Sequence, residues 1–384
     1  MPSASAPTDL PRLGAPEAGP HRPSMPVETP ALYSARPAFA LDGAAEASLS
    51  DTLTALDVVD AVDGMARCEA AFSNWAPSGD GSAANYVFFD RNVFDFGRAL
   101  TVSGGAGEAG GTLFDGRITG IEAHYLPDRA PEVTVLAEDR LQDLRMTRRT
   151  RSFEDVTVGD VASALAQDHS LRTDLDVDGP TFRTLAQVNQ SDLAFLRDLA
   201  RMADAEAWVE GDTLHVVARA RRDGGALTLR FGDRLHEFSV LADLATQRTA
   251  VVASGWDVAA KEPVSHEAGP EAVQAETASL EGGAAVLESA FGPRVDRVVH
   301  PSPGTQEQAR ALAEATFRQQ ARRFVSGQGT AEGDARLRVG ATVTLEGLGA
   351  LFAGDYTVVE ARHTFSADGF RTRFRVERPG LGRP

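Results

Sequence analysis

The stretch QVNQSDLAFLRDLARMADAEAWVEGDTLHVV, Gln187–Val217, decides how the rest of the chain is read. Leu193, Leu196, Ala200 and Ala203 recur at helical spacing, with Phe195, Leu199 and Met202 beside them. Asn189 or Ser191 is the expected N-cap, and Asp192 falls in the first turn, where negative charge opposes the helix dipole favourably. After Ala205 the period changes to two. Trp208 and Val209 lead into Glu210-Gly211-Asp212-Thr213, and Leu214 to Val217 follow. Gly211-Asp212 suits a two-residue type II′ turn. A capped helix running straight into a small hairpin is predicted, a compact α/β unit with no obvious catalytic side chain.

Outward from this unit the texture is β. Residues 1-32 are rich in Pro and Ala and read as an extended arm. From Tyr33 come short apolar runs between turn clusters: Tyr86–Asp90, Ala99–Gly104, Thr112–Tyr125 and Glu132–Asp139. The alternation in Thr112–Tyr125 breaks parity, which predicts a bulge near Glu122. A helix is expected over Val158–Gln167, capped by Thr157 or Asp160. From Ala226 the β texture returns in ALTLRFGD, HEFSVLAD and RTAVVASGWDV; residues 258–303 read as loop. Thr305 and Gln308 form a capping box for a helix over Gln306–Phe324, and three more strands close the chain. The expected domains are the 1-32 arm, a β region over 33-145, the α/β unit over 146-222, and a second β region over 223-384 carrying an inserted loop and the helix 305-324. The fold class is mainly β with α+β.

Composition narrows the function. The 384 residues carry a formal net charge of −17, with 42% apolar and 24% charged residues. So acidic a chain disfavours binding to phosphate backbones or anionic lipid. Cys68 is the single cysteine, which excludes an intrachain disulfide and a cysteine zinc site. The N-terminus has no secretory pattern, and no run of 18 apolar residues occurs, so cytoplasmic synthesis without membrane insertion is expected.

The search for chemistry is mostly negative. The eight histidines show no metal-ligand spacing, and no HExxH or GxSxG occurs. Cys68 reads as a small buried apolar residue rather than a nucleophile. Gly105-x-Gly107-x-x-Gly110 formally matches a dinucleotide loop, but a strand follows where that site needs a helix, so a hairpin loop is expected. No catalytic, cofactor-binding or metal residue is assigned. Two arginine clusters stand out against the acidic background, five residues within Arg140–Arg151 and six within Arg362–Arg383. Arg371, Arg373 and Arg375 are the candidate partner-contact patch; charge guarding a strand edge is the plainer reading.

Six blocks in order, LFDGRITGIE, LAEDRLQDL, QVNQSDLAFLRDLA, GDTLHV, GWDVAAKEPV and FAGDYTVVEARHTFS, resemble the phage late control D family, the baseplate hub of contractile tails and contractile injection systems. That family is similar to the N-terminal hub part of type VI secretion spike proteins. The resemblance covers about residues 33–380 and leaves out the Pro-rich arm. It implies two tail-tube-like antiparallel β-barrels flanking the small α/β unit, and a pseudo-six-fold homotrimer. The implied partners are the inner tube protein, the spike protein and baseplate wedge proteins, with no nucleic acid and no cofactor. The implied role is that of a symmetry adaptor, not an enzyme, assembled into a phage-tail-like particle. The structural signature is Gln190, Ser191, Asp192, Phe195, Leu196, Trp208, Gly211, Trp256, Asp257, Gly354 and Tyr356. A tail-associated cell-wall hydrolase and a generic β-rich binding module are the alternatives.

Overall fold

A computed structural model describes residues 36–75, 86–125, 127, 129–277 and 279–383. The expected 1-32 arm therefore lies outside the described residues. Its main feature is a thirteen-stranded sheet drawn from both ends of the chain. From one edge the order is Leu235–Ala242, Val325–Glu332, Gly369–Arg378, Gly354–Ser366, Leu53–Ala61, Arg67–Ser73, Glu132–Glu138, Gly111–His124, Ala99–Gly104, Ala38–Leu41 and Ala44–Ala45. Thr342–Glu346 pairs with the first half of Gly354–Ser366 and, in parallel, with Ala226–Arg230. The second half of Gly354–Ser366 pairs with Leu53–Ala61, so one strand serves both β regions.

The resemblance implied two tail-tube-like antiparallel β-barrels; no closed barrel is present among the described residues. In the second half the open seam lies between Ala226–Arg230 and Leu235–Ala242, the two ends of its strand path. A single bridge, Phe231 to Leu235, links these two ends. Each half still has its own core. Phe72, Phe94, Phe114, Leu100 and Val135 fill the first, which also takes in Phe365 and Phe370 from the C-terminal hairpin. Tyr356, Phe324, Leu345, Phe374 and Val376 belong to the second.

Several local readings change. Tyr86–Asp90 is not a strand. Asn74 Oδ1 accepts from both Val87 N and Phe88 N at 2.8 Å, so these donors are used by a side chain, while the Phe88 ring enters the core beside Phe72 and Phe94. The bulge in Gly111–His124 lies between Ile118 and Gly120 rather than near Glu122. The glycine triplet is a hairpin loop, since Gly104 pairs with Gly111 across it. Residues 258–303, expected as loop, hold strands Glu262–Ala268 and Val295–Val298 and the helix Gly283–Phe291. Small residues such as Ala268, Ala284 and Gly283 pack this segment, and they give little periodic signal. Glu262–Ala268 and Val295–Val298 flank Ala250–Asp257 in a three-stranded sheet beneath the helix Gln306–Arg322, with Val251, Ala253, Ala313 and Phe317 as its core. That places RTAVVASGWDV outside the large sheet. The capping box is half formed: Gln308 N donates to Thr305 Oγ1, but Gln308 Oε1 accepts from Gly304 N.

A buried ionic joint ties three segments together. Arg322, 3% exposed, donates to both carboxylate oxygens of Asp204, at 2.6 and 2.8 Å, and to both of Glu276, each at 2.7 Å. Burial opposes the guanidinium charge, but these two carboxylates more than offset it. Asp204→Ala would leave a buried arginine half compensated. The variant should lose about 3 kcal/mol of stability, measured by urea unfolding.

Two further buried groups set a pH dependence. Asp139 accepts from Ala66 N and Leu141 N, yet burial pushes its carboxyl up from 3.8 to about 7. Its stabilising contribution is complete below pH 3.8 and lost as pH rises through about 7. His363, hydrogen-bonded to Thr372 Oγ1, is pushed down by burial from 6.5 to about 4. Its contribution is present above pH 6.5 and lost as pH falls through about 4. Relative to the wild type, Asp139→Asn should gain stability at neutral pH over acid pH. His363→Gln should shift the balance the other way in the same urea titrations.

Candidate functional site

The helix of the opening stretch is Asp192–Met202, and Ser191, not Asn189, is its cap, with Oγ accepting from Ala194 N at 3.1 Å. Asp192 is wholly buried. Its Oδ1 accepts from Gln187 Nε2 at 2.7 Å, and its Oδ2 meets His169 Nε2 at 2.8 Å and Arg149 Nε at 3.1 Å. Burial alone would raise its pKa, but the hydrogen bonds from Gln187, His169 and Arg149 outweigh burial and hold it below the usual value. These bonds seat the helix on the Arg148–Val156 and Phe182–Ser191 pair, which supplies Arg149 and Gln187. Much of the Arg140–Arg151 cluster is engaged within the chain: Arg151 bonds Asp168 and Gln187, and Arg145 bonds Glu138.

The other signature residues have identifiable neighbours. Gln190 donates to Asp198 at 3.0 Å. Phe195 stacks on Phe153, and Leu196 has no exposed surface. Trp208 is stacked between His215 and Arg222, with centroid distances of 4.9 and 4.0 Å. Gly211 makes the hairpin turn with φ 59°, a conformation that favours glycine. Asp257 Oδ1 caps the next turn through Ala259 N and Ala260 N. Gly354 opens its strand at φ 117°, and the buried Tyr356 donates to Phe352 O while Arg378 covers its ring. Trp256 is the exception, half-exposed on the surface.

Two exposed surfaces stand out among the described residues. The first is the outer face of the large sheet. Arg371, Arg373 and Arg375 project there from Gly369–Arg378, which is paired on both sides. They lie in the middle of the sheet, so guarding an edge is not their role. Residues directly opposite share a face. One row across it reads Thr330, Arg373, Arg362, Val59, Arg67, Glu138 and Arg117. The next reads Glu332, Arg371, Thr364, Asp57 and Glu69. Arg375 pairs with Glu360 and Arg362 with Asp57, whereas Arg371 and Arg373 have no carboxylate within ion-pair distance among the described residues. The face therefore mixes both charges with small polar side chains.

Sequence reasoning missed the second surface, because its walls come from segments far apart in the chain. It is a cleft of about 1240 Å³ between the α/β unit and the Ala250–Asp257 sheet. Helices Asp192–Met202 and Gln306–Arg322 contribute Phe195, Leu199, Met202 and Leu312. Gln319 Nε2 donates to Arg201 O at 2.7 Å, joining the two helices. The opposite wall carries Trp256, Val258 and Pro303. Gly255 is required there, since a Cβ would lie 2.0 Å from Pro303 O. Among the described residues, no three side chains gather as a metal site, and no helix is long and apolar enough to cross a membrane.

The family model of the Alg8 N-terminal domain matches residues 48–367, and the chain belongs to that family. It carries a different name from the late control D family. No curated protein matches the chain. The fold resembles that of the 43 kDa tail protein of prophage MuSo2 from Shewanella oneidensis, at 14% identity and TM-score 0.64, over 90% of this chain and 98% of that one. It also resembles the tail protein from Neisseria meningitidis MC58, at 14% identity and TM-score 0.62, over 91% and 98%. The E. coli c3393 protein is described as a type VI secretion component with structural similarity to the T4 bacteriophage tail proteins gp27 and gp5. It matches at 13% identity and TM-score 0.52, over 87% of this chain and 76% of that one. At these identities the likeness is one of fold.

The Asp192 cluster yields a direct test. Its contribution is complete above the ordinary carboxylate range and is lost as pH falls through its lowered value. Asp192→Asn should cost about 2 kcal/mol at neutral pH. It should also flatten the loss of stability below about pH 4, as followed by circular dichroism during urea unfolding.

Proposed function

We propose that the chain is the structural hub of a contractile phage-tail-like particle and belongs with the late control D hubs. In this reading it is a homotrimeric adaptor, not an enzyme, between a six-fold inner tube and a three-fold spike, with baseplate wedge proteins around it. It is made in the cytoplasm and assembled into a virion or an injection particle. The observation that carries the reading is the near-full-length fold likeness to two tail proteins. The arrangement within the chain adds support: two β regions with separate cores share one sheet.

On this reading the regions 33-145 and 223-384 each supply one tube-like module, so three chains offer six. Symmetry of this kind lets one gene product mate a hexamer to a trimer. The α/β unit over 146-222 is the spacer, and the signature residues hold its geometry rather than perform chemistry. The mixed-charge sheet face, with Arg371, Arg373 and Arg375 at its centre, is the contact surface for partners in the particle.

The test is native mass, for the chain alone and after co-expression with a neighbouring spike gene. A species near 122 kDa, three times the 40.7 kDa chain, or an equimolar complex with the spike is expected. A monomer in both preparations well above micromolar concentration overturns the reading, as would peptidoglycan clearing on a zymogram. Charge reversal at Arg371, Arg373 and Arg375 should block assembly while leaving the chain folded, judged by circular dichroism and particle yield. Intact assembly would remove the patch from the interface.

A further inference from the structure

The Phe182–Ser191 strand is hydrogen-bonded on one side only, to Arg148–Val156, in a sheet of just two strands. Residues 180–186 all line the cleft, seven in succession. Successive side chains of a strand point to opposite faces, so a wall made of every residue in turn is the backbone edge and not one face. Among the described residues, no backbone partner other than Arg148–Val156 meets Phe182–Val188. The edge is pinned at its start, where Thr181 O accepts from Gln308 Nε2 at 3.1 Å. The cleft lining also includes Trp256 and Val258, large apolar side chains 51% and 77% exposed.

We propose that this edge is a strand-addition site, taking an extended segment of a partner protein with apolar side chains at alternate positions. Two features select that occupant. Unpaired N–H and C=O groups repeating every second residue are matched along their whole length only by another extended backbone. A strand added there directs alternate side chains toward Trp256, Val258 and the apolar cleft floor, and the others toward solvent. A second copy of this chain fits poorly. Its own edge strand, with Arg183, Thr184 and Gln187 among Phe182, Leu185, Ala186 and Val188, does not supply large apolar side chains at every second position. The inference does not depend on the hub reading, because it rests on the edge and the cleft alone.

The test uses the full chain and a library of nine-residue peptides with Val, Ile, Leu, Phe or Tyr at alternate positions and Thr or Lys between. Backbone hydrogen exchange is followed residue by residue. Binding members should slow exchange of Phe182–Val188 amides at least tenfold and shift Trp256 fluorescence. Methylating the peptide nitrogens of one parity should weaken binding at least tenfold, the loss of about one good hydrogen bond or more, while the other parity is tolerated. Trp256→Ala should weaken the same peptides at least tenfold in conditions where the variant stays fully folded by circular dichroism, since that ring is half-exposed and faces the proposed strand. The proposal is overturned if no member protects the strand, or if both methylation patterns bind equally. It is also overturned if protection appears with chain concentration alone, which would make the occupant a second copy.

Discussion

The strand Gly354–Ser366 carries the architecture because its two halves are hydrogen-bonded to different parts of the chain. Up to Thr357 it pairs with Thr342–Glu346, and from Glu360 onward with Leu53–Ala61. The register shift between Val358 and Glu360, on its other side, marks the change. Its C-terminal hairpin delivers Phe365 and Phe370 to the first core, while Tyr356, Val358 and Phe374 stay in the second. Arg362 reaches Asp57 across 305 residues of sequence. Neither β region completes its sheet without the other. Long-range pairing of this kind makes folding slow, since loop-closure entropy is lost before the contacts repay it.

Charge is spent at the joints. In a chain of net charge −17, the buried ionic groups sit where separate segments meet. Asp192 locks the helix to its strand pair, and Arg322 ties the Gln306–Arg322 helix to Asp204 and Glu276. Asp334 gathers Arg234 and Arg336 beside the Thr372 hydroxyl. Such pairs add little net stability over an apolar contact, but each is satisfied in one geometry only, which fixes how the segments meet.

The surfaces free for partners differ in character. The sheet face is polar and mixes both signs of charge, while the cleft sets apolar side chains such as Phe195, Leu199, Trp256 and Val258 beside a backbone edge. The first suits recognition by complementary charge, and the second suits backbone pairing.

The capped helix and its hairpin were legible in the sequence because their signals are local. Ser191, the apolar stripe from Leu193 to Ala200, and Gly211 act within a few residues of themselves. The same holds for Thr157 with Asp160 and for Thr305 at the later helix. Resemblance of ordered blocks pointed to tail proteins, and the fold likeness agrees. What the sequence did not disclose depended on partners far away. Tyr86–Asp90 looked like a strand until Asn74 took its backbone donors. Residues 258–303 looked like loop because alanine and glycine pack without periodicity. The arginines at 371, 373 and 375 read as edge guards, since nothing local says that strands lie on both sides. Local patterns determined which segments were helix or strand. Only tertiary structure decided which strands paired, because backbone hydrogen bonds carry no residue identity, and the choice among strands rests on which side chains can be buried together.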